Sequence, residues 1–200
     1  PFLVLELLDG TTLATVLEAR RRFTEPAAAA LLTQLCDAFI GLHKLGVTHG
    51  DVKPTNMMLT TGTGSGRETI IVKLLDFGLV RGTQDLLRLS EDWQWPQGYD
   101  FQEDLGSMVA ADTADYVAPE MIDDAQGNES EGSKTDTPSD VFSLGVILYI
   151  LLTGHSPWPF TLQGDESFST QFRQYLKYRH DEALIRPERI SAPMWSIVSQ

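Results

Sequence analysis

The chain has 200 residues, 42% of them apolar, which is enough for one domain with its own core or for a large part of a bigger domain. The net charge of -13 argues against a broad surface for nucleic acid or for an anionic membrane, because both would need many Lys and Arg residues. The chain has a single cysteine, Cys36, so no intrachain disulfide can form, and this fits a reducing intracellular compartment. Cys36 lies in an apolar helical pattern, which predicts a buried structural thiol.

The first quarter of the chain predicts one strand and two helices. Residues 2–8 form an apolar run that predicts a short buried strand. Thr11 or Thr12 is expected to cap a short helix. The Thr-Glu-Pro sequence at residues 24–26 predicts the start of a longer helix, which is expected to stop near Gly46.

Two strands are predicted next, at residues 57–59 and 70–75, where Met, Ile, Val and Leu dominate. The segment between them, residues 60–68, is rich in Thr, Gly and Ser and predicts a flexible turn or insertion. Its glycines lack the Lys-Ser/Thr ending of a phosphate-binding P-loop, which argues against a phosphate site there.

The middle of the chain is acidic and weakly periodic. Residues 79–135 predict a long segment that is either functional or disordered. Residues 85–140 hold 15 of the 28 acidic residues and only 2 of the 15 Lys and Arg residues. This excess fits either a solvated acidic segment, which is the more common case, or a surface that selects basic substrates or partners.

Three helices are predicted in the remainder. Residues 137–153 are apolar on nearly all sides and predict a buried helix, whose apolar run of 12 residues at 141–152 is short for a membrane span. Further helices are predicted at residues 167–178 and from about Ala192. We therefore expect a soluble, mainly α-helical fold with short β-strands.

Two short motifs carry the chemistry. Residues 49–56 read His-Gly-Asp-Val-Lys-Pro-Thr-Asn, and residues 76–78 read Asp-Phe-Gly. The first resembles the catalytic loop of protein kinases, H-x-D-x-K-P-x-N, and the second resembles their metal-binding triplet. The Lys two residues after the Asp resembles the serine/threonine branch. Two further pieces follow in the family's order, at residues 115–120 (DYVAPE) and 140–146 (DVFSLGV).

The resemblance implies transfer of a phosphoryl group from ATP, with Mg2+, to a Ser or Thr hydroxyl of a protein substrate. It implies that Asp51 is the catalytic base and that Lys53 steadies the transferring phosphate. It also implies that the amide oxygen of Asn56 and the carboxylate of Asp76 bind magnesium, a cation that prefers hard oxygen ligands.

The resemblance extends to nucleotide and substrate contacts. The first residues resemble the hinge between the family's two lobes, so the backbone near Glu6 and Leu8 would bind the adenine and Met58 would pack under it. An ordinary core strand remains the other interpretation of that segment. Thr113 resembles the substrate-loop threonine that bonds the catalytic Asp and Lys.

Four further residues have counterparts in the family. Glu120 resembles an acid that pairs with an Arg beyond Gln200, and Asp140 resembles the acid at a helix start that holds the catalytic-loop backbone. His49 and Phe77 are expected to pack rather than to transfer protons.

Two departures from the family limit what the resemblance implies. Gly50 replaces the Arg that normally pairs with a phosphate on the activation segment, so activation through that contact is not expected. The Gly-rich loop and the strand Lys that hold the nucleotide phosphates would precede residue 1. We therefore expect a partial kinase domain over residues 1–200: the hinge and most of the C-terminal lobe, truncated at both ends, without the N-terminal lobe and inactive alone.

The leading hypothesis is a serine/threonine protein kinase that binds ATP and a protein substrate, with no nucleic-acid or membrane partner. The alternative is a pseudokinase, which uses the same fold as a scaffold or binding module. A kinase of small molecules is a third hypothesis, which Thr113 and the Ala-Pro-Glu at residues 118–120 disfavour.

Overall fold

A computed structural model describes most of the N-terminal half of the chain and several later segments. The described residues are 4–64, 67–76, 114–119, 137–158, 174–175, 177–179 and 184–199. Within these ranges helices outweigh strands, as the sequence predicts. No helix in the described ranges is long and apolar enough to cross a membrane.

A three-stranded antiparallel sheet lies beside the helices, in the order β1-β2-β3. Strand β1 is Gly10–Thr12, β2 is Met57–Gly64 and β3 is Arg67–Leu74. Gly10 pairs with Thr60, and β2 and β3 form a hairpin in which Met57 faces Leu74. A side chain at Gly10 would clash with the Leu59 carbonyl oxygen, so this close approach requires glycine.

The hairpin corrects the turn predicted at residues 60–68. Strand β2 continues to Gly64 and β3 begins at Arg67, so most of that segment is paired strand. Its threonines are β-branched and suit a pleated ladder, while glycine weakens a strand without ending it. The composition indicated flexibility, but the backbone pairing with residues 67–71 decided the structure.

The buried strand predicted at residues 2–8 is wrong for the part that the structure describes. Residues 4–9 form no strand, and Val4, Leu5 and Leu7 are 84%, 73% and 98% exposed. An apolar run favours burial, but burial requires another element packed over it. Pairing with β2 starts only at Gly10.

Helices α1 (Leu13–Arg20) and α2 (Glu25–Lys44) begin where the sequence predicts. The Thr12 hydroxyl caps α1 by accepting a hydrogen bond from the Thr15 backbone N–H at 3.2 Å. Thr24 is the N-cap residue of α2, and Pro26 lies in its first turn, where its missing N–H costs nothing. Gly46 follows the helix end with a φ of 71°.

The core forms where α2 crosses helix α3 (Thr137–Thr153). Phe23, just before α2, donates its backbone N–H to the Leu151 carbonyl at 2.7 Å, whereas His43 near the α2 C-terminus contacts Asp140 in the first turn of α3. The two helices therefore run antiparallel. The buried apolar residues of α3 are Leu144, Val146, Ile147, Leu148, Tyr149, Leu151 and Leu152, which confirms the predicted buried helix.

Helix α4 (Ala192–Val198) starts at the predicted position and is tied to α2. The Ser191 hydroxyl caps α4, and the Glu25 carboxylate accepts hydrogen bonds from the Ser191 backbone N–H at 2.6 Å and from its hydroxyl at 2.8 Å. These two bonds lower the pKa of Glu25. The helix predicted at 167–178 lies largely outside the described residues, but 174–175 and 177–179 are helical; we call these five residues the Tyr175 segment.

Cys36 lies on α2 and is partly buried. Burial, and then the nearby Asp37 carboxylate, raises the pKa of its thiol, which disfavours the reactive thiolate. Cys36 is less buried than predicted, but this environment fits the structural role predicted for it.

We expect Ile147→Ala to lower the free energy of unfolding by about 2–5 kcal/mol, because it opens a cavity in a close-packed core. Ile147 is 0% exposed, whereas Ile40 on α2 is 51% exposed. The matched control Ile40→Ala should cost less than about 1 kcal/mol, since its side chain is half solvated already. Urea denaturation of both variants checks this, and equal losses would contradict the assignment of the core.

Candidate active site

One buried carboxylate anchors the 49–56 loop. Asp140, 1% exposed in the first turn of α3, accepts hydrogen bonds from the backbone N–H of His49 at 2.9 Å and of Gly50 at 3.0 Å. Its Oδ2 also accepts from His43 Nε2 at 2.8 Å. The expected contact between Asp140 and the loop backbone is therefore present in the structure. The third partner, His43, was missed; a histidine in the last turn of a helix was its only sequence signal.

His49 packs in the interior, as predicted, and it also makes two hydrogen bonds that were not predicted. It is 2% exposed, and its ring lies 5.9 Å from that of Phe39. Its Nε2 donates to the Leu75 carbonyl at 3.0 Å, and its Nδ1 accepts from the Asp51 backbone N–H at 3.3 Å. Because both ring nitrogens are used in holding the loop, His49 is poorly placed to act as a general acid or base.

Asp51, Lys53 and Asn56 come together at the end of the loop. The Asp51 Oδ2 lies 3.0 Å from the Lys53 ammonium and accepts from the Asn56 amide nitrogen at 2.8 Å. The same amide nitrogen donates to the Asp51 backbone carbonyl at 2.9 Å. Both bonds use Nδ2, so Oδ1 is the Asn56 atom suited to a cation. The side chains of Asp51 and Lys53 are only 26% and 18% exposed, so their mutual attraction is less screened than at an open surface.

Asp76 reaches the same region through the hairpin. The Asn56 carbonyl accepts a hydrogen bond from the Leu75 backbone N–H at 2.9 Å, which places the residue after Leu75 beside the loop. Asp76 is exposed and has a φ of 53°, in the left-handed region that few non-glycine residues adopt. Such backbone conformations are typical of functional sites, because surrounding structure must hold them in place.

Gly50 adopts a φ of 75°, and its backbone N–H is one of the two that Asp140 holds. The family's Arg is absent at this position, so the loop offers no guanidinium to a phosphate. The hydrogen bonds to Asp140 hold the loop without an arginine or a bound phosphate.

The residues predicted to contact the nucleotide lie just before β1 and in β2. Met58 is in β2 and pairs with Lys73 of β3. The Lys73 ammonium lies 3.2 Å from both carboxylate oxygens of Glu6, so the segment before β1 is tied to the sheet. Leu8 is half-buried. The contact of Lys73 with Glu6 was not predicted from the sequence. The only sign of it in the sequence was a single cation within the apolar run of residues 70–75.

Part of the predicted site lies outside the described residues. Thr113, Phe77, Gly78 and Glu120 belong to this group. Among the residues that are described, no group of three or more His, Cys, Asp or Glu side chains forms a metal cage. Asn56 and Asp76 provide oxygen ligands of the kind that Mg2+ accepts when water and phosphate complete its shell.

The chain matches the family model described as "Protein kinase domain" over residues 1–200. It therefore belongs to the protein kinase domain family, which confirms the resemblance drawn from residues 49–56 and 76–78.

Its relatives are serine/threonine-protein kinases, as the Lys in the 49–56 loop indicated. PknL of Mycobacterium tuberculosis is 34% identical over 174 residues, which cover 87% of this chain and 35% of PknL. PknB of the same species is 30% identical over 198 residues, 99% of this chain and 26% of PknB. PknB of Mycobacterium leprae is 29% identical over 158 residues, 79% of this chain and 21% of that protein. The chain thus spans about a third or less of the length of these relatives.

Proposed function

We propose that this chain carries the catalytic loop and metal ligands of a serine/threonine protein kinase, which transfers the γ-phosphoryl group of ATP to protein hydroxyls. The observation that carries the proposal is the carboxylate of Asp51. It is held between Lys53 and Asn56 on a loop that Asp140 anchors, with Asp76 at the adjacent strand end. Phosphoryl transfer depends on such positioning and charge neutralisation more than on covalent chemistry.

Asp51 accepts the proton of the substrate hydroxyl and orients its oxygen for attack. The hydrogen bond from Asn56 orients the Asp51 carboxylate, and Lys53 offers its ammonium to the phosphoryl oxygens. Asn56 Oδ1 and the Asp76 carboxylate would hold Mg2+, which neutralises charge on the phosphates when bound.

The segment before β1 is proposed to hold the adenine through the backbone near Glu6 and Leu8, with Met58 beneath it. The contact between Glu6 and Lys73 supports this proposal, because it fixes the segment against the sheet. Both side chains are substantially exposed, at 68% and 39%, so the ion pair orients the segment more than it stabilises the fold.

Residues 1–200 are proposed to correspond to the hinge and most of the C-terminal lobe of the kinase domain. Thr113 is proposed as the substrate-loop residue that bonds Asp51 and Lys53. A protein substrate and ATP are the proposed partners, without nucleic acid or membrane. An intracellular location is also proposed, and the single cysteine of the chain supports it.

Removing the Asp76 carboxylate tests the proposal. We expect Asp76→Ala to lower Mg2+–ATP-dependent phosphorylation of a general protein substrate by about 100-fold or more, because a metal ligand contributes several kcal/mol of charge stabilisation. The measurement is radiolabel transfer by the full-length protein at several Mg2+ concentrations. Asp37→Ala, which removes an exposed carboxylate from α2, is the matched control and should keep full activity.

Unchanged turnover of Asp76→Ala would remove the metal role of this residue. A wild-type protein that transfers no phosphate to any protein, with intact folding, would favour the scaffold alternative over the enzyme.

A further inference from the structure

The short segment 114–119 is held by side chains that are distant in sequence. The Tyr175 hydroxyl donates a hydrogen bond to Asp115 Oδ1, and the Arg179 guanidinium donates to the Asp115 backbone carbonyl at 3.5 Å. From the other side, the Ser143 hydroxyl on α3 donates to the Tyr116 carbonyl at 2.6 Å. Three separate contacts from two elements thus converge on two consecutive residues.

Arg179 is itself fixed in position. Its guanidinium lies 5.2 Å from the ring centroid of Phe142 and 5.2 Å from that of Trp158. The two rings are nearly parallel, with an interplanar angle of 7° and centroids 6.2 Å apart. Arg179 is 6% exposed, and cation–π contacts are strongest when they are desolvated in this way. Because Phe142 and Ser143 both belong to α3, the Tyr175 segment and the 114–119 segment both pack against this buried helix.

Tyr175 is well suited to a permanent contact. It is 5% exposed, and burial, followed by the Asp115 carboxylate, raises the pKa of its hydroxyl. The hydroxyl therefore keeps its proton at neutral pH and remains a donor. A hydrogen bond to an ionised acceptor is stronger than one between neutral groups.

We propose that the Tyr175 segment holds residues 114–119, which follow the proposed substrate-loop residue Thr113, in a docking-competent conformation through Asp115, with Tyr175 and Arg179 as positioning residues. The inference rests on the proposed function, because Asp115 lies two residues after Thr113, the proposed substrate-loop residue. It also accounts for Gly50. Where an Arg would order this region only after a phosphate is added, the contacts of Tyr175 and Arg179 need no phosphate.

Tyr175→Phe tests the inference by removing one hydroxyl from a buried ring. We expect the KM for a protein or peptide substrate to rise about tenfold, because the lost bond is made to a charged group, while the KM for ATP stays within about twofold. Tyr149→Phe is the matched control, since Tyr149 is also buried, at 6% exposed, but lies toward the opposite end of α3. Kinetic constants of the control should equal those of the wild type.

Substitutions of Asp115, which is less buried than Tyr175, test the same hydrogen bond from its other partner. Asp115→Ala should reproduce the effect of Tyr175→Phe, whereas Asp115→Asn keeps an oxygen acceptor and should recover most of the substrate affinity. If alanine and asparagine are equally impaired, the hydrogen bond to Tyr175 is not the cause and the inference is wrong. It is also wrong if phosphatase treatment of the wild type raises its substrate KM tenfold.

A readout that needs no catalysis separates this inference from the proposed function. We expect amide hydrogen exchange in a peptide covering residues 114–119 to quicken at least about tenfold in Tyr175→Phe and not in Tyr149→Phe, because local opening becomes easier when an anchor is lost. Unchanged exchange would overturn the inference even in an active kinase. Faster exchange in a protein without phosphotransfer would instead count against the proposed function alone.

Discussion

Replacing Asp51 with Asn is expected to lower kcat for protein phosphorylation by about 100- to 10,000-fold, which is the usual contribution of a positioned general base. Asparagine has nearly the same shape and keeps an oxygen for the amide of Asn56, so the loop should stay folded. It cannot take the substrate proton, and it leaves Lys53 without its carboxylate at 3.0 Å.

Which kinetic constant changes in Asp51→Asn is as informative as the size of the fall in kcat. The KM for ATP should change little, because the proposed adenine contacts lie near β1 and β2 and the metal ligands remain. Asp37→Asn makes the same chemical change at an exposed position of α2 and should leave kcat unaltered. A kcat within threefold of the wild type for Asp51→Asn would exclude this residue as the base.

Replacing Asp140 with Ala is expected to cost about 3–5 kcal/mol of folding free energy, a loss typical when a buried charged acceptor is removed from its partners. The backbone N–H groups of His49 and Gly50 and the ring of His43 would all lose the buried carboxylate that accepts their hydrogen bonds. The loop that carries Asp51 would lose its anchor, so activity should fall together with stability.

Urea denaturation of Asp140→Ala and of Asp140→Asn checks this expectation. Asparagine restores one acceptor oxygen but brings an N–H2 group toward existing donors, so we expect a loss smaller than that of alanine but still measurable. Asp37→Ala again controls for loss of an acidic residue from a helix. A loss below about 1 kcal/mol for alanine would mean that other contacts, rather than Asp140, hold the loop.

The sequence was most informative where a local pattern has one physical interpretation. The start of α2 follows from Pro26, because its fixed φ and missing N–H suit the first turn of a helix. The position of α3 follows from an apolar run with few alternatives to burial.

Local sequence patterns gave wrong predictions where strand pairing, or packing of another element over the segment, decided the structure. The apolar residues Val4, Leu5 and Leu7 are exposed because burial depends on what packs over them. The Gly- and Thr-rich residues that follow Leu59 are strand because β3 pairs with them. Neither result depends on the composition of the segment itself.

By itself the sequence determined the family and gave rise to the proposed chemistry of residues 49–56 and 76–78, since both depend on residue type and spacing along the chain. The family resemblance implied that Asp140 holds the loop backbone, but only the tertiary structure revealed its His43 partner and the contact of Tyr175 with Asp115. Asp140 is 91 residues from His49, and Tyr175 is 60 residues from Asp115. Contacts over such separations depend on how α3 packs against α2 and the Tyr175 segment, and no local pattern encodes that packing.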